Sequence, residues 1–449
     1  MRGLRIELRR SAALWAGLVV LVTGAGLLLL GTSGTSRWKG NSTSALLELR
    51  LPLVYTWALV VGLAAFQGMR DGRAGVGELF ASTSRPHWMR TGTLAAAVAG
   101  AVAVSTALLC AGVVAVVAIE GGFVSIGFVP LMLVTVLVLT SGALLGLALG
   151  RLLPHPLTAP VALVATFVLG SAGAQGVDID SPSGEIYRAG LLTPSFRTPY
   201  SDLVTTSTSV DLGQLVWFAG LGLTGLVLLV ARSAAGRLAA LLPAGIAALV
   251  ALSILPVKVT DVIVADSIGA QLVCDGPVCV SRVHADRLPQ TAEAGKAALA
   301  KLAVLPGAPK EVHEDVSPTA HQTAPRRSDK IVYVDSQKSP RVLDLTTDQI
   351  RLELLAGAGV PGCSPPNSLN LREGAVRHLT AAYFNGGLAE LPGSSWSWDH
   401  QQTRAELDAA WRTLSGQSPQ EQLKRITQAR QMLLSCADSD SVFDLLAAP

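Results

Sequence analysis

The chain has 449 residues, of which 50% are hydrophobic and 15% are charged, and its mean hydropathy is +0.46. Soluble proteins carry about 25% charged residues, so this composition excludes an ordinary soluble protein and indicates one largely embedded in a membrane. The net charge of +3 is too small to indicate a nucleic-acid partner.

Before Pro256 the apolar residues recur in runs long enough to cross a bilayer, whose hydrocarbon core of about 30 Å needs roughly 20 residues of helix. We predict seven spans, none containing Asp, Glu, Lys or Arg, at Ala13–Gly31, Leu51–Met69, Leu94–Ile119, Ile126–Gly150, Thr158–Gly176, Leu215–Val230 and Leu238–Leu255. A charge at the centre of such a helix costs roughly 2.5–3.5 kcal/mol. We therefore expect no ion site within the membrane, which argues against an ion-coupled secondary transporter.

Basic residues in the connecting segments predict the orientation, because short cytoplasmic loops carry an excess of Lys and Arg. With the N-terminus inside, most arginines fall in inner segments: Arg2, Arg5, Arg9, Arg10, Arg70, Arg73, Arg85, Arg90, Arg151, Arg232 and Arg237. The outer loops then hold only Arg37, Lys39, Arg50, Arg188 and Arg197. We expect a multi-pass cell-membrane protein with a cytoplasmic N-terminus and, after seven crossings, an extracytoplasmic domain at 257–449.

The cysteines agree with this orientation. Cys110 lies in the middle of an apolar run, whereas Cys274, Cys279, Cys363 and Cys436 all follow the last span. Four thiols allow three pairings. A hairpin around Asp275-Gly276-Pro277 would bring Cys274 beside Cys279, which leaves Cys363 and Cys436 as a long-range pair. The alternative is four unpaired thiols in a reducing compartment.

The inner segment 70–93 joins the predicted second and third spans and is longer than a turn requires. It has room for a short helix at Gly75–Ser82, with Leu79 and Phe80 on one face and Glu78 beside them. The alternative is a solvated linker that binds nothing.

This segment resembles the coupling loop of the type-2 (ABC-2) permeases of ABC transporters, in which an inner helix after two spans docks onto a separate ATPase. The matching residues are Gly77-Glu78-Leu79-Phe80-Ala81-Ser82-Thr83, followed by Arg85-Pro86. The chain departs from the family pattern at Arg70-Asp71-Gly72-Arg73, where many members are more acidic, and in the position of the proline. The resemblance implies that Glu78, Leu79, Phe80 and Arg85 couple the permease to the ATPase.

The order of segments over 1–234 also resembles that superfamily: an amphipathic entry helix, two spans, the coupling loop, three tightly joined spans, a longer outer loop and a sixth span. The entry helix is Met1–Arg10, which could equally be a simple positive-inside anchor. A seventh span at 235–256 is additional to this six-span pattern and would place the C-terminal domain on the outer side of the membrane. The high use of Ala, Gly, Val and Leu resembles that of actinobacterial permeases.

The outer domain at 257–449 has the pattern of a mixed α+β fold. We predict strands at Val259–Ala265, across the hairpin Gln271–Val283, at Lys310–Val316 and at Lys330–Asp335. We predict helices at Thr291–Leu305, Thr347–Ala358, Leu371–Asn385, Gln401–Leu414 and Pro419–Cys436. The expected fold is thus an α-helical polytopic membrane protein, ABC-2 permease-like with six spans plus a seventh, carrying an α+β extracytoplasmic domain.

No motif in the sequence indicates catalysis. His313-Glu314 lacks the second histidine of a zinc-protease motif, because position 317 is Ser, and the nearest approach to a nucleotide-binding loop, Gly295-Lys296, is followed by Ala297. We therefore assign no catalytic, cofactor-binding or metal residue, and ATP would be bound by the partner subunit.

The resemblance implies a permease subunit of an exporter, with a separate cytoplasmic ATPase, a second identical or different permease subunit and membrane lipid as partners. The substrate would be amphiphilic. Two other functions remain open from the sequence: a membrane-anchored sensor or assembly protein with a permease-like fold, and a membrane-tethered hydrolase with a degenerate outer domain.

Overall fold

The computed structural model describes residues 13–31, 38, 40–73, 87–177, 184–196, 201–317, 326–336, 342–364, 370–392 and 401–449. The chain forms two compact units, Met1–Asp266 and Ser267–Pro449, which we call the membrane unit and the outer unit. The membrane unit extends ten residues past the predicted boundary, from 256 to 266. The reason is a two-stranded antiparallel pairing in which β1 (Val204–Thr206) holds β2 (Ile263–Ala265).

The membrane unit is built from helices. In chain order they are α1 (Ala13–Gly31), α2 (Ser42–Arg50), α3 (Leu53–Gly68), α4 (Arg70–Arg73), α5 (His87–Ile119), α6 (Phe128–Leu152), α7 (Thr158–Gln175), α8 (Thr208–Val230), α9 (Ala234–Ala239) and α10 (Leu242–Ile254). A short 3₁₀ helix, Arg188–Leu192, precedes β1.

Within the described residues, six helical segments are long and apolar enough to cross a membrane, which confirms the prediction of a polytopic helical protein in its coarse form. They are α1, α5, α6, α7, α8 and the combined segment Ala234–Ile254. A seventh is possible only if α2 and α3, which meet at a bend of 55°, count as one broken span. The predicted span Leu51–Met69 corresponds to the continuous helix α3, which has 16 residues. At 1.5 Å per residue α3 is only about 24 Å long, so it reaches spanning length only together with α2.

The predicted spans contain no charged residue, but one of the helices extends beyond its predicted span to include one. Helix α8 begins at Thr208 rather than at the predicted Leu215, and its first turn contains Asp211. The predicted span began too late because it started at the first continuous apolar run, whereas the helix continues through Asp211 and Gln214.

Packing contacts fix the relative directions of the helices. Helices α1 and α5 run parallel, since Gly17 lies against Ser105 and Gly24 against Leu109. Helix α3 runs parallel to α6, because Trp57 lies against Gly142 and Ala65 against Gly150, eight residues further along each helix.

Other pairs run in opposite directions. Helix α3 is antiparallel to α7, since Gly62 lies against Leu163 and Val54 against Gly170. Helix α8 is antiparallel to α10, with Gly213 beside Leu255 and Gly220 beside Ala247, and it lies along α6 through Gly222 and Gly225. Helices α5 and α6 are joined by a short turn after Glu120 and therefore run in opposite directions. With α2 and α3 counted together as one helix, successive helices alternate in direction along the chain.

Helices α3 and α6 pack backbone against backbone. Three glycines at four-residue spacing on α6, namely Gly142, Gly146 and Gly150, face α3. A Cβ added at Gly146 would overlap the carbonyl oxygen of Val61, and one added at Gly150 would overlap that of Ala65. Small residues allow such close approach between membrane helices, where dispersion contacts replace the hydrophobic effect as the source of stability.

The outer unit contains a four-stranded sheet in the order β3 (Leu272–Asp275), β4 (Val278–Ser281), β5 (Glu311–Glu314) and β6 (Ile331–Val334). Strands β3 and β4 form the predicted hairpin, while β4, β5 and β6 run parallel. The helices are α11 (Leu288–Leu302), α12 (Thr347–Leu355), α13 (Leu371–Asn385), α14 (Gln401–Ser415), α15 (Pro419–Leu434) and α16 (Ser439–Ala447). The unit is mixed α and β as predicted, except that Val259–Asp261 is a 3₁₀ turn and β2 belongs to the membrane unit.

The core of the outer unit lies around α11, the helix that connects β4 to β5. Val278, Ala298, Leu302 and Val312 are buried together with residues of α12 to α16. Gly295 is required at the centre of α11, since a Cβ there would lie 2.7 Å from a methyl of Val278.

Two cysteine pairs in the outer unit have sulfur atoms at bonding distance, and they are the two pairs that the sequence predicts. The Cys274 and Cys279 sulfurs lie 2.10 Å apart across the β3–β4 hairpin, and those of Cys363 and Cys436 lie 2.18 Å apart. By restricting the entropy of the unfolded chain, a disulfide closing the short loop would stabilise the fold by about 2 kcal/mol and one closing the long loop by about 4 kcal/mol. Cys110 is buried and unpaired.

The glycine contact between α3 and α6 yields a matched test. Replacing Gly146 by Leu should destabilise the folded protein by about 1–3 kcal/mol or more, because the new side chain has no space against Val61. Replacing Gly112 on α5 by Leu introduces the same side chain where nothing lies within 4 Å, and it should leave stability nearly unchanged. Thermal unfolding in detergent, followed by tryptophan fluorescence, measures both; equal losses would contradict the packing described.

Candidate functional site

Polar residues from four separate segments of the membrane unit meet at one end of the helix bundle, which we call the polar end. The Ser42 amide donates to the Phe123 carbonyl at 3.0 Å, and the Asn41 side-chain amide donates to the carbonyl of Asp202 at 2.8 Å. The Thr43 hydroxyl donates to the Asp266 carboxylate at 3.2 Å. The loops before α2, after α5, before α8 and at β2 therefore form one layer.

Helix α2 begins inside this layer because Asn41 caps it. Asn41 has an extended backbone, and its side-chain oxygen accepts from the Thr43 amide at 3.0 Å, which satisfies one of the amides that a helix start leaves unpaired. Asn41, Ser42 and Thr43 are each fully buried. A buried helix start with polar side chains is stable only because the neighbouring loops supply partners for them.

At its other end, α2 is separated from α3 by a break in the helical backbone. Pro52 precedes the first turn of α3, and because proline lacks an amide hydrogen and clashes with a preceding helical turn, it separates α2 from α3. Arg50 is the last residue of α2 and is only 4% exposed. The break thus leaves a guanidinium buried between helices.

Arg50 contacts residues near the start of α8. Its Nη2 donates a hydrogen bond to the side-chain oxygen of Gln214, and its Nη1 lies 4.0 Å from a carboxylate oxygen of Asp211. The guanidinium carbon also lies 5.5 Å from the centre of the Phe196 ring. We call Arg50, Asp211 and Gln214 the junction.

The junction is fixed by further hydrogen bonds. Asp211 accepts from the Thr206 hydroxyl at 2.7 Å, and the Gln214 amide donates to the Leu191 carbonyl at 2.8 Å. Trp217, three residues further along the same face of α8, donates to the Leu192 carbonyl at 2.8 Å. The first three turns of α8 therefore hold both the break and the 3₁₀ helix in place.

The outer unit has a second polar cluster at the carboxyl end of its parallel strands, the edge where ligands of open α/β sheets bind. Glu314, at the end of β5, has a fully buried side chain. It accepts from the Ser281 amide at 2.6 Å and lies 2.7 Å from Nδ1 of His284.

The cluster is not a nucleophilic triad. The Ser281 hydroxyl lies 3.1 Å from the same imidazole nitrogen, Nδ1, that contacts Glu314. In a catalytic triad the serine and the carboxylate contact opposite nitrogens of the histidine. The geometry instead fits a structural ion pair at the end of β4 and β5.

The surroundings of Glu314 alter its ionisation. Burial by itself raises the pKa of the Glu314 carboxyl, but the His284 ring and the Ser281 amide, both of which stabilise the anion, outweigh burial and hold its pKa below the ordinary value.

The residues predicted to couple to an ATPase, Glu78, Leu79, Phe80 and Arg85, lie in 74–86, outside the described residues. The four cysteines lie in the outer unit as predicted. Among the described residues there is no group of three or more His, Cys, Asp or Glu side chains that could hold a metal ion.

The sequence interpretation missed the junction. It assigned Arg50 and Asp211 to outer loops because each stands beside an apolar run rather than within one. Pro52, two residues after Arg50, was the available signal, since a proline near the start of a predicted span marks a helix boundary.

No protein-family model, curated protein or solved structure matches this chain.

The buried Glu314–His284 pair predicts a pH dependence. A lowered pKa in the folded state means that Glu314 contributes stability above its unfolded pKa of about 4.3, and that this contribution is lost as the pH falls through the folded-state value. Glu314→Gln should expose the amides of β4 and β5 to faster hydrogen exchange at pH 7, with a local loss of about 1.5–3 kcal/mol. The difference from wild type should shrink below about pH 4.

The matched control is Glu293→Gln on the exposed face of α11, which should not change exchange at either pH. If Glu314→Gln also left exchange unchanged at pH 7, the pair would not stabilise the sheet.

Proposed function

We propose that this chain is the membrane-spanning permease subunit of an ABC-type exporter, driven by a separate cytoplasmic ATPase. The observation that carries the proposal is the broken helix pair α2–α3 with the buried junction at its break. Interrupted helices are tolerated at membrane depth only where protein or a cavity covers them, and transporters use them to build binding sites. Ionisable residues in such positions are functional-site candidates by default.

The alternation of helix directions supports seven crossings. Counting α2 and α3 as one crossing makes every neighbouring pair in the chain antiparallel, in agreement with the contacts at Gly142, Gly150, Gly62 and Gly170. With the arginine-rich segments on the cytoplasmic side, the outer unit would then lie outside the cell. Two disulfides within it are typical of an oxidising compartment.

The segment 70–93 would then face the cytoplasm. It begins with α4, where a Cβ on Gly72 would lie 2.8 Å from Pro154 in the α6–α7 joint. This is the opposite end of α3 from the break and the polar end. An ATPase bound to this segment through Glu78, Leu79, Phe80 and Arg85 would act on α3, and the tight α3–α6 contact would transmit the movement.

Helix α7 and the segment Ala234–Ile254 supply surfaces for the other partners. Most of their apolar side chains are exposed, among them Val164, Leu169, Ile246 and Leu249. In a bilayer these faces would contact lipid or a second permease subunit, as the resemblance implies. A substrate reaching the bundle from the lipid would itself be amphiphilic.

The coupling proposal is tested by Leu79→Ala combined with Phe80→Ala. If these side chains are buried in the ATPase, at roughly 1.5–3 kcal/mol each, the double variant should bind the ATPase at least about 100-fold more weakly. It should also lose stimulated ATP hydrolysis while still inserting and folding. Co-purification and ATPase assays of the complex measure both effects.

The matched control is Leu153→Ala with Leu157→Ala, which removes two exposed leucines from the other cytoplasmic joint. It should retain binding. If the Leu79/Phe80 variant still co-purified with a fully coupled ATPase, segment 70–93 would be an ordinary linker, and a sensor or assembly role would become the better account.

A further inference from the structure

The Arg50 guanidinium has an unused hydrogen-bond donor deep inside the membrane unit. The residue is 4% exposed, and its Nη1 makes no hydrogen bond to any residue that the structure describes. Helix α2 has nine residues, so Arg50 lies about 13 Å along the helix axis from the polar end. A buried charged donor without a hydrogen-bond partner is energetically costly.

The existing neighbours do not satisfy this donor. Gln214 is neutral and is already bonded to Nη2. Asp211 supplies the opposite charge, but its nearest oxygen is 4.0 Å from Nη1 and accepts the Thr206 hydroxyl at 2.7 Å. Asp211 therefore neutralises Arg50 without closing a hydrogen bond to it.

From this geometry we propose that the junction binds the anionic headgroup, a phosphate or carboxylate, of an amphiphile. The planar guanidinium is suited to bidentate bonds with either group. An anion at Nη1 would gain a charge-assisted bond in a site shielded from water, and Gln214 would hold the guanidinium in position for it.

The surroundings favour an amphiphile over a free ion. The Phe196 ring lies against the guanidinium, and Leu191, Val210 and Trp217 continue an apolar cluster from it. A headgroup at Arg50 would place its alkyl chain beside these side chains. This proposal deepens the exporter proposal by naming its substrate class and rests on it for the direction of movement, but not for binding itself.

Asp211 sets the affinity. A ligand anion must share the guanidinium with this carboxylate, so the resting ion pair competes with the ligand. Removing the carboxylate charge should tighten binding, whereas a merely structural ion pair would show no binding at all.

The test uses the full chain in dodecyl maltoside, an uncharged detergent without phosphate, with binding followed by tryptophan fluorescence and the signal of protein-free detergent subtracted. The probes are octyl phosphate, octanoate, octyl glucoside, octyltrimethylammonium and inorganic phosphate. We expect saturable binding of octyl phosphate and octanoate, and none of the neutral or cationic probe. Weak or absent binding of inorganic phosphate would assign the site to an amphiphile's headgroup, whereas equal binding of both would overturn the amphiphile assignment.

Variants at the junction make the test specific. Arg50→Gln should weaken octyl phosphate binding at least about tenfold, and Arg50→Lys, which keeps the charge but not the planar fork, should weaken it less. Asp211→Asn should tighten it several-fold, which guards against a trivial loss through misfolding of the Arg50 variants. The control Arg237→Gln, at an exposed position on α9, should bind as wild type does.

An affinity for octyl phosphate that is the same in wild type and in the Arg50→Gln, Arg50→Lys and Asp211→Asn variants would overturn the proposal. So would binding of octyltrimethylammonium that Asp211→Asn abolishes, since the site would then recognise cations. The Leu79→Ala/Phe80→Ala variant should bind octyl phosphate normally. If that variant kept full coupling to the ATPase while octyl phosphate still bound through Arg50, only the exporter proposal would be refuted.

Discussion

The bend between α2 and α3 is the constraint on which the rest of the membrane unit depends. Between Arg50 and Leu53 the regular backbone hydrogen bonds stop, and the buried polar groups there need partners from other parts of the chain. The break is stable only because other parts of the chain cover it: the start of α8 brings Gln214 and Asp211 to the guanidinium, and the 3₁₀ helix at Arg188–Leu192 is bonded to α8 in turn.

Beyond the bend, α3 packs tightly against a second helix. It leaves the bend at 55° to α2 and lies along α6 closely enough that only glycine fits at Gly146 and Gly150. The polar end, the junction and the α3–α6 contact form one continuous path through the unit.

The features set by local sequence were predictable, and those set by distant partners were not. The run Ala13–Gly31 is a helix with the predicted bounds, and Asp275-Gly276-Pro277 turns the hairpin that pairs Cys274 with Cys279. The partner of Arg50 lies 164 positions away, and hydropathy carries no information on that pairing. The predicted boundary at 256 differs from the division after Asp266 for the same reason, since the β1–β2 pairing that holds 263–265 in the membrane unit is long-range.

The central claim is that α2 and α3 together cross the membrane once, so that seven crossings separate the two ends of the chain. Labelling of single cysteines with a membrane-impermeant maleimide in intact cells tests it most directly, in a Cys110→Ala background where the other cysteines are paired. A cysteine at exposed Gln420 in the outer unit should react in intact cells, whereas one at exposed Ser233 between α8 and α9 should react only after permeabilisation. Reaction of the Gln420 site only after permeabilisation would mean an even number of crossings and would contradict the account.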